Sequence, residues 1–146
     1  MPPITTYSFQ DLSGALAHPL LGAYAFTGEG TGSVQIEMAS EVSARDRAAD
    51  GSIMVSKILG HDGSITITCQ QTSPLHKFLM GLYNLLYHGE SSMWAQMAGT
   101  LRNVATGTSH LLTGMSFMKA AGTPYQAQGQ NVSWVFSCAD IQNLTA

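Results

Sequence analysis

Apolar residues recur at helical spacing in one long segment of the chain, residues 73–88. Ser73 can cap the first turn through its hydroxyl, and Pro74 suits the first helical position. Gly89 can adopt the left-handed conformation that often ends a helix. The segment therefore predicts one amphipathic helix, with His76 off its apolar face. That face is expected to pack on the core and consists of Leu75, Phe78, Leu79, Leu82, Leu85 and Leu86.

Outside this segment, apolar and polar residues alternate in several short runs, as is typical of half-buried β-strands. Residues 34–38 and 132–138 alternate cleanly, and weaker strands are expected near 7–18 and 100–105. A strand over residues 111–119 is expected to place three side chains on one face, namely Leu111, Met115 and Phe117.

The clearest predicted hairpin joins residues 53–59 to residues 65–71 through a tight turn at Asp62 and Gly63. Because strands follow one another without repeating strand–helix units, the sheet is expected to be antiparallel. The predicted fold is mainly β, an antiparallel β-sandwich or partly closed barrel with one flanking α-helix that covers an edge or open end. A chain of this length suits a single domain over residues 1–146.

Charged residues make up only 10% of the chain, against a usual level of about 25%. A surface with so few charges favours assembly, because part of it can be hidden against partners. The net charge is −3 and the six basic residues are scattered, which argues against nucleic-acid binding through a basic patch. No apolar run is long enough to predict a membrane span.

One third of the fifteen charged residues lies in a short stretch, residues 39–51. This stretch lacks a continuous apolar face and is expected to be a long exposed loop or an extended hairpin. It is either a solvated loop or a projecting element that contacts a partner, and the sequence supports both readings. The charged residues concerned are Glu41, Arg45, Asp46, Arg47 and Asp50.

No catalytic, cofactor-binding or metal-binding constellation is found in the sequence. Each histidine is expected to be structural or exposed, and the two cysteines, Cys69 and Cys138, are expected to be reduced and buried. The glycine-dense residues 28–32 carry an acid where a phosphate-binding loop would carry lysine. We therefore expect no enzymatic activity and no cofactor. The histidines are His18, His61, His76, His88 and His110.

Several short segments together resemble the tail tube proteins of contractile-tailed bacteriophages. Each segment is unspecific by itself, but their order and spacing cover most of the chain. Residues 91–122 match only loosely. The segments are residues 7–11, 34–38, 46–57, 71–74, 82–84 and 132–138.

The resemblance implies a structural virion protein that forms hexameric rings, which stack into the hollow inner tube of a tail. In such a tube, inner sheets of neighbouring subunits join into a barrel around the lumen, and a long loop reaches the adjacent ring. By position that loop would be residues 39–51. The implied partners are other copies of the chain, the tail sheath protein, and baseplate and tail terminator proteins. DNA would pass through the lumen without sequence-specific binding, and the protein would be made in the host cytoplasm.

Two alternatives stay open at this point. One is the tube protein of a related contractile injection or secretion system, which would share the fold but carry a different cargo. The other is a small-molecule-binding β-barrel, against which the low charge content and the long polar loop argue.

Overall fold

The structure is a computed structural model that describes residues 4, 7, 8, 11–20, 22–27, 31–39 and 41–145. These residues form ten β-strands, one α-helix and one short 3₁₀ turn at Ser91–Met93. The helix, α1, spans Pro74–Tyr87. The strands are β1 (Leu12–His18), β2 (Gly22–Thr27), β3 (Thr31–Met38), β4 (Ser43–Arg47), β5 (Ile53–Lys57), β6 (Gly63–Gln70), β7 (Met97–Asn103), β8 (Thr108–Lys119), β9 (Asn131–Cys138) and β10 (Asp140–Leu144).

The main sheet has the order β2-β1-β7-β8-β9-β6-β3, and all its pairs are antiparallel. Strand β8 joins two halves of this sheet. Its first part pairs with β7 and β10 in one half, and its last part pairs with β9 in the other half. Strands β2 and β3 end the path and do not pair with each other, so the sheet is not closed. The predicted mainly-β, antiparallel and partly closed fold with one helix is confirmed.

The core lies between the two halves of the sheet and α1. Every second residue of β6 is buried, which places Ile65, Ile67 and Cys69 inside. Strand β9 follows the same rule and buries four side chains, as its alternation predicted: Val132, Trp134, Phe136 and Cys138. Within the described part of the chain, no helix is long and apolar enough to cross a membrane.

The hairpin predicted between residues 53–59 and 65–71 is wrong. Strand β5 pairs with β4 in a separate two-stranded sheet, whereas β6 pairs with β3 on one side and β9 on the other. Gly63 is the first residue of β6 rather than a turn residue, and a Cβ there would collide with the carbonyl oxygen of Glu37. Because both edges of β6 are occupied by long partners, β5 has no place beside it.

The predicted apolar face of the strand at 111–119 is also corrected. Met115 and Phe117 are buried, but Leu111 is 37% exposed and Leu112 is buried in its place. The pairing of β7 with β8 shifts register between Met97 and Gly99, opposite a glycine, Gly114, with φ of +63°. This extra residue on β8 reverses the inward and outward alternation beyond it.

Helix α1 begins as predicted, with the Ser73 hydroxyl accepting a hydrogen bond from the His76 amide at 3.3 Å. Its end differs, because Gly89 does not take the left-handed conformation and His88 is the C-cap. Gly89 is still required by space, since a Cβ there would lie 2.9 Å from the Leu85 carbonyl oxygen.

Two histidines are buried parts of the fold. His76 was predicted off the apolar face, but it is only 8% exposed and its Nδ1 accepts a hydrogen bond from the Trp134 indole N–H at 3.1 Å. His18 is buried as well. Its Nδ1 accepts from the Leu20 amide at 3.1 Å, so its Nε2 donates to the Met93 carbonyl at 2.9 Å. Both side chains tie neighbouring elements together.

Candidate assembly surfaces

The two-stranded sheet forms a projecting hairpin, which we call the arm and define as residues 41–59. Every residue of β4 and β5 is exposed, and neither strand joins the main sheet. The turn at its tip is closed by hydrogen bonds from the Ser52 amide and hydroxyl to one oxygen of Asp50, at 3.0 and 2.6 Å. These bonds lower the pKa of the Asp50 carboxyl. Residues 39–51, which the sequence predicted to be exposed, therefore contain one strand of an extended hairpin.

The arm has two faces that follow from its register. Directly opposite residues of an antiparallel pair point to the same side. One face, the cationic face, carries Ser43 opposite Lys57, Arg45 opposite Val55, and Arg47 opposite Ile53. The other face carries Asp46 opposite Met54 and Ala44 opposite Ser56.

The five charged residues predicted to form one contact site are thus divided. Arg45 and Arg47 share the cationic face, and Asp46 points to the opposite side. Glu41 precedes β4 at the root of the arm, and Asp50 is occupied in the tip turn.

The apolar part of this surface was not predicted from the sequence, because residues 53–59 were assigned to a hairpin with residues 65–71. These side chains are exposed, and Met54 and Val55 are each 62% accessible. A cluster of this kind marks an interaction surface more often than a free one. The sequence did contain a sign of this difference, because residues 53–57 lack the strict alternation of apolar and polar residues that β6 and β9 show. The exposed apolar residues of the arm are Val42, Ile53, Met54, Val55, Ile58 and Leu59.

A second surface lies on the outward side of β3, β6 and β9, and we call it the hydroxyl face. Glu37 is the only charged residue in these three strands. Thr68 and Ser133 hydrogen-bond across it through their hydroxyl groups at 3.1 Å. Its side chains are Ser33, Gln35, Glu37, Ser64, Thr66, Thr68, Gln70, Asn131, Ser133, Val135 and Ser137.

Most of the residues predicted as the core face of α1 belong to the core in the structure. Leu75, Leu79, Leu82 and Leu86 are buried. Phe78 is half-buried and stacks on Tyr24 with ring centroids 4.7 Å apart, which attaches the helix to β2. Leu85, in contrast, is 41% exposed.

The described residues include no group of three or more His, Cys, Asp or Glu side chains placed to hold a metal ion. Cys69 and Cys138 are free and buried, and burial raises the pKa of both thiols, that of Cys138 to about 11. Thiols of this kind are poor nucleophiles because the thiolate is the reactive form. The surfaces that the fold does present are suited to association.

Comparison with solved structures finds the same fold in chains of contractile, phage-like particles. A chain of the anti-feeding prophage baseplate matches with a TM-score of 0.68 and 10% identity, covering 99% of this chain and 98% of that chain. A chain from the cap that terminates the anti-feeding prophage tube matches with a TM-score of 0.64 and 8% identity, covering 100% and 95%. A chain from an extracellular contractile injection system, the PVC sheath–tube complex in its extended state, matches with a TM-score of 0.58 and 11% identity, covering 99% and 93%.

These similarities, all at 11% identity or less, show that this chain shares the fold of those proteins. A sequence model of the bacteriophage PhiTE tail tube protein family matches residues 4–145. The chain belongs to this tail tube family, which confirms the resemblance found in the sequence. No curated protein matches the chain significantly.

Proposed function

We propose that this protein is the subunit of the inner tail tube of a contractile-tailed phage, assembled as stacked hexameric rings through which DNA is ejected. The observation that carries the proposal is the arm. A two-stranded hairpin alone is at best marginally stable in water, and this one exposes six large apolar side chains. Contact with a neighbouring ring would cover them and hold the hairpin in place.

The hydroxyl face would be the wall of the lumen. Among the described strands, β3 pairs only with β6, and an unpaired edge can extend a sheet by pairing with a neighbouring copy. Apart from Glu37 and the apolar Val135, the side chains of this face carry neutral hydroxyl or amide groups, so the wall would hold the phosphate backbone weakly. Passage of DNA would then require few ionic contacts to be broken.

The remaining surfaces would meet the sheath on the outside of the tube, and the baseplate and tail terminator proteins at its two ends. The protein would act as a structural component of the virion, with no catalytic role.

A second candidate is the tube of a related injection system with a protein cargo. It is favoured by one observation, which is that the similar solved structures come from such systems. Purified particles that contain DNA support the phage assignment, and particles that contain only protein cargo support the second candidate.

The test of tube formation is negative-stain electron microscopy of the purified protein, compared with a variant whose residues 41–59 are replaced by a short Gly/Ser linker. We expect rings and tubes from the natural chain. The linker variant should keep its β circular-dichroism signal, because the arm contributes nothing to the main sheet, but should form no tubes. Tubes of normal length from the linker variant would refute the role of the arm.

A further inference from the structure

The cationic face of the arm restricts what can cover it. Arg45, Arg47 and Lys57 are three of the six basic residues of the chain, and the register puts all three on one side. No acidic side chain of β4 or β5 shares that side, where Val55 lies opposite Arg45 and Ile53 lies opposite Arg47. A complementary surface must therefore combine negative charge with apolar contact.

The charge balance of the chain favours another copy of the same protein as the partner. The segment from Glu41 to Lys57 carries three acids and three bases. The chain as a whole carries nine acids and six bases, so the acidic excess lies outside the arm. A cationic face on the arm is attracted to the body of a neighbouring copy.

The C-terminal end of α1 offers the required combination. The last turn of a helix has partial negative charge from its unpaired carbonyls, and basic side chains often neutralise it. Helix α1 has no Lys or Arg in its last turn; its C-cap is His88, whose ring meets the Tyr87 ring edge-on at 5.3 Å, and the exposed Glu90 follows. Two apolar side chains are exposed beside this end, Leu85 at 41% and Tyr87 at 63%. The Tyr87 ring stacks on Tyr83 with centroids 5.7 Å apart, which holds it in place.

We propose that the cationic face of the arm docks on the C-terminal end of α1 in a second copy. Arg45 and Arg47 supply the positive charge that this helix end lacks and pair with Glu90. A guanidinium can also lie over the Tyr87 ring, where the cation is attracted by the π face. Ile53 and Val55 cover Leu85. The inference rests on the proposed function, because it names the surface that the arm meets in the assembly.

The contact is heterologous, since one copy contributes the arm and the other contributes the helix end. Contacts of this type repeat from copy to copy and generate rings or filaments. The arm and the α1 end of one chain thus serve two different neighbours.

Cysteine cross-linking between two populations of the full chain tests this placement. Arg47→Cys and Glu90→Cys are purified separately, mixed and oxidised, so that a heterodimer arises only from contact between copies. The control is Lys77→Cys, at the exposed first turn of the same helix. The native thiols do not interfere, because both are buried. We expect the Arg47→Cys protein to cross-link with Glu90→Cys and not with Lys77→Cys.

Charge reversal provides a second measurement. Glu90→Arg should raise the protein concentration needed for assembly by roughly tenfold or more, since close charge pairs across interfaces couple at this level. Lys77→Glu, a charge reversal on the other end of the helix, should leave it unchanged. Combining Arg47→Glu with Glu90→Arg should restore most of the loss. Circular dichroism checks that each variant is folded.

The outcomes separate this inference from the proposed function. Tubes without the specific cross-link, or equal cross-linking to positions 77 and 90, overturn the docking site and leave the tube assignment intact. A specific cross-link without rings or tubes supports the docking contact and counts against the tube. If a labelled DNA duplex protects Arg47→Cys from modification and no cross-link forms, the cationic face is a nucleic-acid contact and the inference is wrong.

Discussion

Replacement of Leu82 by Ala tests whether α1 is part of the core, and Leu85→Ala is the matched control. The two residues lie on the same helix, but Leu82 is fully buried and Leu85 is 41% exposed. The substitution removes the same atoms at both positions, and the change in helix propensity is the same. Any difference in stability therefore reports burial.

The expected loss at Leu82 has two parts. Burial of each methylene-sized group is worth about 0.8 kcal/mol, so the three carbons removed account for about 2.4 kcal/mol. The cavity left behind adds to this, and complete Leu→Ala losses in cores are typically about 2–5 kcal/mol. At Leu85 much of the side chain is already in water, and the loss should stay below about 1 kcal/mol.

Urea unfolding followed by circular dichroism measures both free energies of unfolding. Unfolding should be recorded under dilute conditions in which the protein is monomeric, because assembly would add its own stabilisation. Equal losses for the two variants would mean that the buried face of the helix has been assigned incorrectly. A larger loss at Leu85 than at Leu82 would have the same consequence.

Three further predictions concern other parts of the fold. Burial lowers the pKa of His76 below its ordinary value of 6.5, so the unfolded chain takes up a proton before the folded chain does. The free energy of unfolding should accordingly fall as pH drops below about 6.5, and this fall should be smaller in His76→Gln. If His76→Gln shows the same pH profile as the natural chain, His76 is not the source of the pH dependence. Cys69 and Cys138 should react with iodoacetamide at pH 8 far more slowly in the folded than in the unfolded protein, because burial raises the pKa of both thiols. Equal reaction rates of the folded and unfolded protein, measured by mass spectrometry, would contradict the burial of these thiols. Gly81→Ala should stabilise the protein by about 0.8–1 kcal/mol, because Gly81 lies within α1 with open space around its Cα. Gly114→Ala should destabilise the protein, because φ is +63° and the new Cβ would lie 2.6 Å from the Ala139 Cβ. Thermal melts in which both variants shift the melting temperature in the same direction would refute this contrast.

Local patterns were sufficient to predict the regular elements with the strongest periodicity. The Ser73–Pro74 start of α1 depends on chain-local capping, and the alternation in β6 and β9 depends on which side of a strand meets the core. These are properties of neighbouring residues, and a single sequence contains them. The family resemblance and the mainly-β class were also accessible from the sequence, since they depend on the order of such segments.

Strand pairing was decided by the tertiary structure. Residues 53–57 have the composition of a strand, but whether they pair with β4 or β6 depends on which strands occupy the edges of β6. That competition involves residues far apart in the chain. It places the apolar residues of the arm on an exposed hairpin instead of beside β6, and they become the main candidate surface for assembly.

Contacts between segments far apart in the chain also decided three other features. These are the side of β8 that is buried, the burial of His76 and the two faces of the arm. The bulge at Gly114 reverses which side of β8 is buried, and a Cβ at this position would collide with Ala139, between β9 and β10. His76 is buried beside Trp134, which lies 58 residues away and donates a hydrogen bond to it. The side chains of Arg45 and Arg47 lie on the opposite face from Asp46 only when β4 is extended and paired with β5. Periodicity along the chain determines which segments can become helix or strand, whereas contacts between distant segments determine which of their side chains face the core, a neighbour or water.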